Sequence, residues 1–68
     1  MTKLLRAIEL YETAMRALAR ARTIRERMQA MRALQEAFDL LVSAVAESEH
    51  WTPEEEQAFA AFIAHWEQ

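Results

Sequence analysis

The chain has 68 residues, 53% hydrophobic and 28% charged, with no glycine, no cysteine, one proline and a formal net charge of −3. Without glycine it lacks the residues that tight β-hairpins and phosphate-cradling loops require; without cysteine it has no disulfide, thiolate metal ligand or thiol nucleophile. The length allows one helical domain over residues 1–68, and 14 of its hydrophobic residues are alanine, which leaves 22 large apolar side chains for a core. A chain this short rarely stabilises itself with such a core alone, so oligomerisation is the expected route.

Thr2 is placed to cap a first helix, and from Lys3 to about Ser48 good helix formers follow one another with no glycine or proline between them. Leu4, Ile8, Tyr11, Met15 and Leu18 recur by fours and threes and form one apolar seam. Ile24, Met28, Met31, Leu34, Phe38, Leu41 and Val45 form a second. At about 100° per residue the two seams lie roughly 160° apart on a straight helix. Thr23-Ile24-Arg25-Glu26 has the form of a capping box, which would break the helix near residues 20–23. Against a break, Arg20-Ala21-Arg22-Thr23 holds no turn former, so one long helix is the first expectation and a break there the alternative.

Thr52-Pro53-Glu54-Glu55 restarts a helix: Thr52 caps it, Pro53 suits its first position, and Glu55 completes a capping box. This return helix is expected to run from Pro53 to about Glu67, with Phe59, Ile63 and Trp66, and Phe62 beside them, as its apolar stripe. Folded back, it brings Phe59 near Leu41, Phe62 near Phe38 and Trp66 near Leu34. A 46-residue first helix would be about 69 Å long and a 14-residue return helix about 21 Å. The N-terminal seam would then be uncovered. The expected architecture is all-α, a helical-hairpin homodimer joined through Leu4, Ile8, Tyr11, Met15 and Leu18.

Charge is segregated along the chain. Residues 16–32 carry Arg16, Arg20, Arg22, Arg25, Arg27 and Arg32 against Glu26 alone, whereas residues 33–68 hold eight carboxylates and no Lys or Arg. Nucleic-acid binding through the Arg16–Arg32 cluster is the runner-up reading. It meets an acidic chain of pI about 5.3, arginines split between two helix sides, and no aromatics among them for base stacking. A solvated helix surface with local pairs, such as Glu12 to Arg16, accounts for these arginines first, and pairing with acidic groups on another subunit or a partner protein comes next.

Catalysis finds few parts. Glu47 and His50 match one Glu-x-x-His pair of the kind used in di-metal bundles, but His65 has Phe62 three residues before it, so the second copy is missing. Ser43 and Ser48 suggest no nucleophilic triad. No catalytic, cofactor or metal site is therefore expected, and the protein reads as non-enzymatic. His50, Trp51, Glu54, Glu55, Arg20 and Arg27 are the candidate partner-binding residues: Trp51 because tryptophan anchors interfaces, although plugging the end of the hairpin core is its favoured role, and the others for charge, although capping and the helix dipole already account for the glutamates. No run approaches the roughly 18 apolar residues of a membrane span. Glu9 and Glu12 interrupt any signal-peptide hydrophobic region, so the expected location is the cytoplasm.

In its length, its Ala/Arg/Glu-rich helical character and its closing segment HWTPEEEQAFAAFIAHW, the chain resembles the small phage-encoded helical proteins that inhibit host regulators, such as the anti-quorum-sensing antagonist of a LuxR-type activator. That resemblance implies a helical homodimer that sequesters a regulator or blocks its DNA-binding domain, with restraint of a second host machine, such as a pilus-assembly ATPase, in the same repertoire. It assigns no binding residue. The expected function is inhibition of a partner protein by occlusion. A structural assembly subunit is a further reading.

Overall fold

A threonine opens each of three helices. The computed structural model describes residues 2–67, with side chains as far as His65, and places α1 at Lys3–Arg20, α2 at Ile24–Glu47 and α3 at Pro53–Glu67. The fold is all-α, with no strand among the described residues. The Thr2 hydroxyl accepts from the Leu5 N–H at 3.2 Å, that of Thr23 from the Glu26 N–H at 3.0 Å, and that of Thr52 from the Glu55 N–H at 3.1 Å. Each bond satisfies one of the amide donors that a helix start leaves without an intrahelical partner.

The single helix expected over residues 3–48 does not form; the chain breaks between Arg20 and Ile24. Glu26 turns back over the break, and its Oε1 accepts from the Thr23 hydroxyl at 3.1 Å and the Arg22 N–H at 3.4 Å. Ala21 (φ −63°, ψ 132°) and Thr23 (φ −120°, ψ 161°) are extended, and no described residue has a positive φ. This corner needs no glycine because no residue in it enters the left-handed region. The capping box was the signal that mattered, and the missing turn formers were irrelevant.

After the corner, α2 runs antiparallel to α1. The Lys3 Nζ reaches the far end of α2, donating to Ser43 Oγ at 3.1 Å and pairing with Glu47 Oε2 at 2.8 Å. The contact face is rich in alanine: Leu4, Ala7, Ile8 and Ala14 are buried on α1, and Ala30, Ala37, Leu41 and Ala44 on α2. Small side chains let two helices approach closely, since interaxial distance follows the residues at the contact. α3 closes the core with Phe62, whose ring meets Tyr11 edge-on at 5.3 Å; Tyr11 also lies 6.4 Å from Phe38. Leu4, Ile8, Leu41 and Phe62 form the centre of this cluster, each worth about 1.5–3 kcal/mol of burial.

This packing changes what the two seams do. Leu4 and Ile8, expected at a dimer interface, are 2% and 5% exposed and lie in the core of their own chain, while Tyr11, Met15 and Leu18 are half-buried. α2 and α3 cover what a straight helix would have left bare. Of the second seam, only Leu41 is buried and Leu34 half-buried; Ile24, Met28, Met31, Phe38 and Val45 are exposed. The alanines discounted as too small for a core make the helix–helix contact instead. Phe59 and Phe62 share one groove with Leu41 and Phe38. The pairing of Trp66 with Leu34 falls on a side chain outside those described.

Candidate functional site

The outward surface of α2 carries the most conspicuous unsatisfied feature of the molecule. Ile24, Met28, Met31 and Phe38 are 78%, 63%, 59% and 51% exposed, and Val42 and Val45 continue the line. With Gln35 included, residues 24, 28, 31, 35, 38, 42 and 45 alternate by four and three over three heptads. The buried face of α2 (Ala30, Ala37, Leu41, Ala44) has the same periodicity but lies about 115° around the helix. Two faces with heptad spacing therefore exist on one helix; the fold buries the alanine-rich one and leaves the other largely exposed, with Phe38 in ring contact with Tyr11.

By period alone the two faces merge into one seam through Leu34 and Leu41, which passes over Gln35 and Val42. The separating signal was the alanine series 30, 37 and 44, a heptad repeat of its own. At its C-terminal half the exposed stripe becomes one wall of a groove of about 410 Å³, where Phe38, Val42 and Val45 face Phe59, Phe62 and Ile63 of α3. At its N-terminal half, Ile24 and Met28 lie among Arg25, Gln29 and Arg32 of α2, and Met28 and Met31 also border a hollow with Tyr11 of α1. Arg25, Arg32 and Asp39 line one edge of the stripe at seven-residue intervals.

The partner-binding residues expected from the sequence are not brought together. Arg20 ends α1 and Arg27 lies in the first turns of α2, both exposed beside the corner. His50 and Glu54 are exposed at the opposite end, in and after the α2–α3 connection, of a molecule 41 Å long. Trp51 is half-buried, with its ring edge-on to Phe59 at 5.1 Å, where it closes the end of the core. Glu55 is 8% exposed and accepts from the Thr52 N–H at 3.0 Å. That backbone hydrogen bond holds its carboxyl below the ordinary value, against the opposing effect of desolvation. Both Trp51 and Glu55 are thus occupied in building the start of α3.

Glu47, the carboxylate of the Glu-x-x-His pair, is engaged by Lys3, whose hydrogen bond and positive charge lower its pKa. Ser48 Oγ donates to the His50 carbonyl at 3.4 Å. Among the described residues no three His, Cys, Asp or Glu side chains converge on a point that could hold a metal ion. No helix among them is long and apolar enough to cross a membrane. Comparison with protein-family models, with curated proteins and with solved structures finds no match to this chain.

Proposed function

We propose that this chain is a small, non-enzymatic regulatory protein that works as a homodimer in the cytoplasm and inhibits a partner protein by occluding its surface. A DNA-binding transcriptional activator is the most concrete partner, as the resemblance to phage-encoded inhibitors implies. The observation that carries the reading of an association protein is the exposed stripe of α2: soluble monomers rarely leave a contiguous apolar strip in water unless it meets something. The charged ends supply the complementary feature, with Arg20 and Arg27 at one end of the molecule and Glu54 at the other. Opposite charge at the rim of an interface steers encounter and selects the partner.

The exposed arginines around the corner favour nucleic-acid binding as the second reading. Photo-crosslinking residues at Arg20 and His50, both exposed, separate the classes. The expected result is an adduct with one heterologous protein, whose activity falls when the purified chain is added. A captured protein whose activity is unaffected would instead indicate an assembly subunit. Binding to arbitrary duplex DNA that weakens steeply with added salt would establish the nucleic-acid reading and displace ours.

A further inference from the structure

We infer that the exposed face of α2 is covered by the α2 of a second copy, running antiparallel to it about a two-fold axis near Gln35 and Glu36. The inference rests on reading the stripe as an interface and goes beyond it by naming the occupant. Three observations select the second copy and its direction.

The first is the repeat itself. Three heptads of exposed apolar residues interrupted by a single central Gln35 are the pattern of a helix that packs knobs into holes against a like helix, with a polar residue fixing its alignment.

The second is charge. Arg25 and Arg32 occupy the same edge of the stripe as Asp39, in opposite halves of the helix. In an antiparallel pair like edges face one another, so Arg32 of one copy lies beside Asp39 of the other, twice by symmetry. A parallel pair would set Arg32 beside the second copy's Arg27 and leave Asp39 next to Leu34, an unfavourable arrangement.

The third is shape. One end of the stripe, at Ile24, lies among residues of α2 alone, Met28 and Met31 border a hollow shared with Tyr11 of α1, and the other half forms a wall of the apolar groove against α3. A two-fold axis across the middle sets the more exposed N-terminal half of each stripe against the other copy's groove. A C2 contact must be self-complementary in this way.

The chain holds no cysteine, so single introduced cysteines report the geometry without interference. Sedimentation of the full chain at micromolar concentration should give the dimer mass. Met31→Glu, at an exposed position, should keep its helical circular dichroism and weaken dimerisation by ~100-fold or more. Under mild oxidation, Met28→Cys and Val45→Cys should each fail to self-crosslink, because the antiparallel pair separates each residue from its own copy by about 25 Å. Mixed together, the two variants should form a heterologous disulfide. Self-crosslinking of Met28→Cys would establish a parallel pair and overturn the arrangement. A monomeric mass would overturn the second copy as occupant and the homodimer with it, while inhibition of a partner protein would still be decided by the heterologous adducts at Arg20 and His50.

Discussion

Replacing Ala7 with leucine should damage this fold far more than the same change at Ala17. Both residues lie within α1, but Ala7 is fully buried against α2 whereas Ala17 is exposed. Alanine and leucine differ little in helix propensity, so the comparison isolates packing. At Ala7 the added carbons meet a surface that includes Ala44 and Leu41, and the helices must separate or the side chain must leave its preferred rotamer. Such overpacking destabilises by about 1 to 3 kcal/mol. The whole fold, at 68 residues, has about 3 to 10 kcal/mol of stability, so the loss is a sizeable fraction of it. Thermal unfolding followed by circular dichroism, at one fixed protein concentration because association raises apparent stability, should show Ala7→Leu lower by about 4 to 20 °C. Ala17→Leu should stay within about 0.5 kcal/mol of the parent. Equal midpoints for the two variants would refute the claim that α1 and α2 meet through small side chains.

Thr23→Ala removes the hydroxyl that caps α2 and should lower stability by about 1 kcal/mol, read as a shift in urea midpoint with unchanged slope. Phe62→Ala empties the contact between α3 and Tyr11 and should cost about 3 to 5 kcal/mol; loss of amide protection in α3 by hydrogen exchange would locate the damage. Glu47 and Glu55 both have lowered carboxyl pKa values in the folded chain, from an ordinary 4.5. The stability they supply is therefore present above that value and lost as pH falls through their folded values. Acid titration of the unfolding midpoint should decline below about pH 4.5, and Lys3→Gln should make that decline shallower by removing the main cause acting on Glu47. An unchanged acid profile in Lys3→Gln would show that the ion pair is not formed in solution.

The helix ends were the most legible part of the fold. Thr52, Pro53 and Glu55 fixed the start of α3 because capping is local: the donor, acceptor and backbone lie within four residues. The same box at Thr23 and Glu26 was equally visible, yet the absence of glycine weighed against it. A corner made of extended residues leaves no compositional trace beyond its cap. The core was harder to read because apolar size is a poor guide to burial when two faces share one period. Met28, Met31 and Phe38 look like core by spacing, whereas Ala30, Ala37 and Ala44 are core by geometry. Period alone does not say which face meets α1, because both faces share it; the small size of the series Ala30, Ala37 and Ala44 is what marks the one that does. Trp51 and Glu55 illustrate the converse: residues suited to an interface by type were committed by local structure to packing and capping.

The corner between α1 and α2 also has a mechanical consequence. A bend made by glycine or proline is written into the backbone and survives most changes around it. Here Ala21, Arg22 and Thr23 are all residues that a helix accepts, and the bend is held by one hydroxyl and one carboxylate. It is a latch made of side chains. Unfastened, the same segment has no backbone objection to continuing as a straight rod, so what keeps the two helices folded back is the core they share, to which the latch adds about 1 kcal/mol.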